Sequence, residues 1–149
     1  MMIKILCVGK IKEKYLELAI KEYQKRMTKY FKIQIIETPD YNFDINKTKK
    51  EEGKNLLNKI SDKDYVIAMD IDGVELSSLS FAKLIDKNLK DDIVFVIGGS
   101  YGLSDEVKKR ANYLMSFSKL TYPHQLFRVI LLEQIYRSFK INNNETYHK

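Results

Sequence analysis

Three of the six glycines in this 149-residue chain, Gly98, Gly99 and Gly102, fall within five residues, directly behind the apolar run Ile93–Ile97. Glycine lets a backbone approach a ligand closely, and ligands of open α/β sheets bind beyond the carboxyl ends of the strands. A tight turn is the competing explanation, although one glycine would serve for that. No Lys-Ser/Thr pair follows, as a phosphate-binding P-loop requires, and Gly9 stands alone behind the first apolar run. Both standard nucleotide fingerprints therefore fail, which argues against a simple NTPase or NAD enzyme. A second constellation, Ser116-Phe117-Ser118-Lys119-Leu120-Thr121-Tyr122-Pro123-His124, leads from a strand into a helix and faces the same sheet edge. Thr121 and Pro123 also serve as ordinary helix-start residues. His124 falls in the first helical turn, where the dipole disfavours a cation; a neutral imidazole there accepts a proton or a hydrogen bond, or is merely structural. Arg128 and Arg137 meet phosphate, pair with Glu133 or face water, and spacing leaves these open. The segment Tyr147-His148-Lys149 joins an aromatic ring, a titratable ring and a cation, a trio able to stack on a base and meet a phosphate. A tail with little to bury otherwise frays.

The elements that position these groups alternate along the chain. Ile3–Val8 reads as a buried strand, and Lys14–Phe31 as a helix with Leu16, Ile20, Tyr23, Met27 and Tyr30 on one face. Ile33–Glu37 is strand-like and stopped by Thr38-Pro39. Residues 40–50 read as a polar loop leading into a lysine-rich helix through Leu56, Leu57 and Ile60. Tyr65–Ile71 is a third strand, closed by the turn signal Asp72-Gly73. Ser77 or Ser78 caps a helix burying Phe81, Leu84 and Ile85. Ile93–Ile97 is the clearest buried strand, and Ser104 caps a helix with Asp105 and Glu106 in its first turn. Leu114–Ser118 is a fifth strand, followed by a long helix carrying Leu126, Ile130 and Phe139. This order predicts a single α/β domain over 1–149, with a mostly parallel sheet covered by helices on both faces.

Composition sets the outer limits. The chain is 44% hydrophobic and 31% charged, which excludes disordered and collagen-like classes. No apolar run reaches the roughly 18–20 residues of a membrane span, and the start lacks the pattern of a signal peptide. The one cysteine, Cys7, lies in a predicted buried strand and reads as core, with no metal-ligand spacing around it. The expectation is a cytoplasmic, reduced protein that binds neither membrane nor metal. The net charge of +6 is one-ended: residues 1–106 carry 18 basic and 18 acidic side chains, residues 107–149 eight and two. Such a bias points to an anionic partner, most often nucleic acid, or to a solvated surface.

Phe95-Val96-Ile97-Gly98-Gly99-Ser100-Tyr101-Gly102-Leu103, joined to Leu120-Thr121-Tyr122-Pro123-His124-Gln125 and Tyr147-His148-Lys149, resembles the small SPOUT-class methyltransferases that methylate N3 of a pseudouridine in bacterial 23S ribosomal RNA. The likeness extends to Val8-Gly9-Lys10, the Lys14–Tyr30 helix and Glu133-Gln134-Ile135-Tyr136-Arg137, and is weak only in 40–64. It implies a C-terminal trefoil knot whose loops hold S-adenosylmethionine, with cofactor contacts carried onto Met69, Gly98, Phe117, Ser118, Lys119, Leu120, Thr121 and Tyr122. It also implies a homodimer acting on the assembled ribosome, with each pocket near the subunit interface and the tail contributing to RNA capture. Tyr147, His148 and Lys149 match that tail, with lysine in place of the arginine of many members and without its bidentate fork, and Arg128 is a further candidate RNA contact. His124 or His148 is the candidate base for the imide proton, or solvent takes it unaided. The alternative is a non-catalytic RNA- or ribosome-binding module that uses the same basic third and keeps the glycines as turns. A small-metabolite enzyme with phosphate at those glycines is the remaining rival.

Overall fold

A computed structural model describes residues 2–149. Five strands, β1 (Met2–Val8), β2 (Lys32–Thr38), β3 (Tyr65–Glu75), β4 (Ile93–Ile97) and β5 (Tyr113–Ser116), alternate with five helices. The helices are α1 (Lys14–Met27), α2 (Ile45–Leu57), α3 (Ser78–Lys87), α4 (Asp105–Arg110) and α5 (His124–Asn142). The strands form one sheet in the order β2-β1-β4-β3-β5, and every neighbouring pair is parallel.

The period-2 geometry of a strand sorts its side chains to two faces, and here both faces are dry. Ile3, Ile5 and Cys7 of β1, with Ile93, Phe95 and Ile97 of β4, pack under α1, α3 and α5. Leu6, Val8, Val94 and Val96 point the other way, onto Leu56 of α2 and Val107 of α4. Central strands buried on both sides therefore appear in the sequence as unbroken apolar runs. Three helix starts follow capping chemistry: Asp44, Ser77 and Ser104 each accept a hydrogen bond from the backbone N–H three residues on.

The structure corrects three sequence expectations. Residues 40–50 are not all loop, because the Asp44 cap starts α2 at Ile45. The third strand does not close at Asp72-Gly73: after a bulge between Met69 and Val74 it resumes pairing with β5. Gly73 makes this possible, since a Cβ there would come within 2.7 Å of the Met115 backbone. The buried stripe of α5 is Leu131, Leu132, Ile135 and Phe139, while Leu126 is 38% exposed.

Candidate functional site

The carboxyl ends of β3, β4 and β5 open into one cleft of about 430 Å³, a size suited to a small organic ligand. Each strand contributes the segment that leaves it. From β3 come Met69 and the bulged Asp70-Ile71-Asp72; from β4 comes Gly98–Leu103; from β5 comes Ser116–Ser118, continuing to Leu120, Thr121, Tyr122 and His124. Gly98 is needed for the loop's fold: a Cβ would lie 2.8 Å from the Gly102 carbonyl carbon. Gly102 takes φ +83°, the left-handed region that favours glycine. The two readings of the glycines thus combine, with the turn itself forming the side of the cleft.

The loop after β5 is held from within. Ser116 Oγ donates to the Ser118 carbonyl at 2.8 Å, the Leu120 N–H donates to Ser118 Oγ at 3.0 Å, and Ser118 Oγ lies 3.2 Å from Tyr122 Oη. Phe117 stacks obliquely on Phe127 of α5, with ring centroids 4.9 Å apart. Met69, Gly98, Phe117, Ser118, Leu120, Thr121 and Tyr122 accordingly all line the cleft, as does His124. Lys119 does not line it and is exposed. Sequence reasoning missed Asp70 and Asp72, whose only signal was a turn motif, and Lys108, which pairs with Asp70 at 3.5 Å. The lining offers aromatic and apolar surface for a planar ring, backbone groups at the glycine turn, and carboxylates to face a cation.

His124 begins α5 behind Pro123. Burial foremost, with the nearby Arg128 guanidinium, holds its pKa below the ordinary value. Both effects disfavour the imidazolium, so the ring is better suited to pass a proton on than to hold one. Arg128 is fully buried. Its Nη1 donates to Glu37 at 2.7 Å, and its Nη2 donates to the carbonyls of Val8 and Gly9 at 3.0 and 2.7 Å. Glu37 in turn accepts the Ile11 N–H at 2.8 Å. The expected RNA contact at Arg128 gives way: its guanidinium clamps α5 to the ends of β1 and β2 and offers nothing to a phosphate.

The C-terminal segment is packed rather than frayed. The Tyr147 ring meets Tyr136 edge-on at 5.0 Å, lies 4.8 Å from the Arg137 guanidinium and donates its hydroxyl to Glu133 at 3.3 Å. Arg137 Nη1 lies 3.1 Å from His148 Nδ1. Glu145 joins Tyr30 and Lys140 at 2.8 and 2.6 Å. His148 thus docks beside Arg137, thirteen residues and about 20 Å along the α5 axis from His124. The two histidines do not share a site within one chain.

Ion pairing also reduces the basic excess of the C-terminal third. Lys108, Arg128, Arg137 and Lys140 pair with Asp70, Glu37, Glu133 and Glu145. Arg110 donates to the carbonyls of Ser61 and Asp64. Lys109, Lys119 and Lys149 are left exposed and without an ion pair among the described residues. Among those residues no group of His, Cys, Asp and Glu side chains could hold a metal ion, and no helix is long and apolar enough to cross a membrane.

A family model described as "Predicted SPOUT methyltransferase" matches residues 1–148. The chain is 53% identical over 159 aligned positions to ribosomal RNA large subunit methyltransferase H 1 of Clostridium perfringens (strain SM101 / Type A), covering all of both chains. It is 52% identical over 159 positions to ribosomal RNA large subunit methyltransferase H of Clostridioides difficile (strain 630), again over the full length of both. The counterpart in Lactobacillus delbrueckii subsp. bulgaricus (strain ATCC BAA-365 / Lb-18) is 51% identical, likewise with complete coverage. A solved structure described as a probable methylase family protein from Haemophilus influenzae Rd KW20 superposes with a TM-score of 0.59 at 13% identity. That superposition takes in 95% of this chain and 66% of the other, and it supports the fold alone.

Proposed function

We propose that this chain, which belongs to the SPOUT methyltransferase family, transfers the methyl group of S-adenosylmethionine to N3 of a pseudouridine in bacterial 23S ribosomal RNA on the assembled ribosome. The observation that carries the reading is the cleft: the positions that the resemblance implies for the cofactor, all but Lys119, line one cavity of ligand size at the carboxyl ends of three parallel strands. The lining fits the cofactor. Met69, Phe117 and Phe127 offer apolar surface to a nucleoside, Asp72 offers a carboxylate to a cationic ligand beside the Asp70–Lys108 pair, and no P-loop lysine is present for a ligand without phosphate. When bound, the sulfonium supplies an activated methyl group. The chain's own part is to orient the target nitrogen, exclude water and take up the imide proton.

The functional unit in this reading is a homodimer, and the placement of the tail supports it. Tyr147 and His148 are anchored far along α5 from the cleft of their own chain, so they serve a cleft only across an interface. The knotted C-terminal path and a cytoplasmic location belong to the same proposal. A non-catalytic RNA-binding module would use the same few exposed lysines, and it makes no use of the cleft.

Calorimetric titration with S-adenosylmethionine, and separately with ATP, tests the cofactor assignment. Micromolar binding of the first and none of the second is expected. Methylation of ribosomes from a strain lacking the modification, followed by mapping of the methylated nucleotide, tests the substrate. Folded protein that binds ribosomes without binding S-adenosylmethionine would favour the binding module.

A further inference from the structure

A second, smaller cavity of about 80 Å³ adjoins the cleft, separated from it by Gly99-Ser100-Tyr101 and His124, which line both. Its remaining lining is mostly polar and includes Asp40, Asn42, Thr48 and Glu52. Glu52, on α2, is 3% exposed. Its Oε2 accepts the Tyr41 N–H at 3.0 Å, whereas its Oε1 has no partner among the described residues. The glycine loop makes room for this carboxylate, since a Cβ on Gly99 would lie 3.0 Å from Oε1. Burying a carboxylate with an unmet acceptor is costly, and neither capping nor packing of α2 calls for glutamate here. A cavity of this size admits bridging water.

The charges around the pair give the arrangement a direction. Asp40 and the Tyr41 N–H face Glu52; Asp40, Arg128 and Lys12 face His124. Burial foremost, reinforced by Asp40, raises the Glu52 carboxyl above its ordinary pKa, and burial foremost lowers that of His124. A proton arriving at His124 is thus easily released, and Glu52 readily receives one. Asp40 is exposed and leads on to solvent.

We propose that His124 and Glu52 form a proton exit from the cleft, in which the imide proton of the target base passes to His124 and on, through water in the small cavity, to the Glu52 carboxylate. The inference rests on the methyltransferase reading above and deepens it. One N3–H bond breaks as one N3–C bond forms; the electron pair of the broken S–C bond stays on sulfur, and the single proton released leaves through Glu52 and Asp40. His124 is the catalytic residue in this scheme, and Glu52 is a positioning residue that acts through it.

Two measurements on Glu52→Gln, with Asp40→Asn as the second variant should the first fail to fold, test the exit. The chain has two histidines, so each imidazole can be followed by NMR without cofactor or RNA. Loss of either carboxylate is expected to move the titration of His124 to lower pH and leave His148 unmoved. An unmoved His124 overturns the coupling. Single-turnover methylation of unmodified ribosomes is then compared across pH. The expected loss is about tenfold near neutral pH, below the ~100-fold or more contributed by a general base itself. That loss should shrink as alkaline pH ionises the imide unaided, with S-adenosylmethionine affinity unchanged. A loss of equal size at every pH marks a structural role and overturns the exit. Absence of methyl transfer by the wild-type protein overturns the function and the exit together, and leaves any measured histidine coupling in place.

Discussion

The two ends of α5 are fastened by ion pairs of opposite character. At the N-terminal end one arginine, Arg128, is fully buried and shares its guanidinium between Glu37 and two backbone carbonyls. At the C-terminal end Glu133–Arg137 and Lys140–Glu145 are partly exposed and hold down a segment that has little apolar surface of its own. A buried charge becomes costly when its partners are lost, so the first fastening is close to all-or-none, even with the Arg128 Nε unpartnered among the described residues. Solvent-exposed pairs are individually weak, screened by salt and tolerant of losing a member. The rigid end supports the cleft; the yielding end carries the segment proposed to meet RNA.

The contrast predicts that Arg128→Met destabilises the fold most, by about 3 kcal/mol in urea denaturation, the lower end for a broken buried pair because Glu37 can rehydrate. A loss below about 1 kcal/mol, the ordinary worth of an exposed pair, would remove the distinction between the two ends.

Gly98→Val tests whether the rigid end depends on close backbone approach. The added side chain must displace Gly102, an overpacking effect of roughly 1–3 kcal/mol, or up to ~100-fold in S-adenosylmethionine affinity by calorimetry. The strand core is untouched, so the unfolding transition should stay cooperative. Affinity equal to wild type would place the ligand away from this turn.

Tyr147→Ala acts at the yielding end. Loss of the edge-on contact with Tyr136 and of the Arg137 interaction should reduce stability by about 1–2 kcal/mol and raise hydrogen exchange over residues 143–149 alone. Exchange spreading to the cleft would show that the two ends are coupled.

The smallest effect is expected from Glu145→Gln, and it has a definite pH window. Hydrogen bonds from Lys140 and then Tyr30 hold the Glu145 carboxyl down to about 2, from an ordinary 4.5. A carboxyl depressed on folding stabilises the fold above its unfolded value and loses that contribution as pH falls through its folded one. The melting midpoint of the wild type should therefore drop between pH 4.5 and about 2 by more than that of Glu145→Gln, with the gap narrowing at high salt. Parallel curves would mean that the ring contacts alone hold the tail.

The sequence by itself determined the alternation of strands and helices, the doubly buried β1 and β4, the cap at Ser104 and a serine cap at 77 or 78, and the place of the cleft behind Ile97. These follow from local pattern: period 2, period 3.6, a serine before a helix, glycines behind a strand. The resemblance added the loop 117–122, and all of it except Lys119 lines the cleft. Tertiary structure alone decided the strand order, the continuation of β3 past Gly73, and above all which charges are spoken for. Arg128 and Lys149 are both cations in the basic third of the chain. One lies against carbonyls more than 110 residues away in sequence, and the other is exposed. Charge is a property of the residue, but its availability depends on partners that only the folded chain brings within reach, because desolvation and pairing act over a few ångströms of space and ignore distance along the sequence.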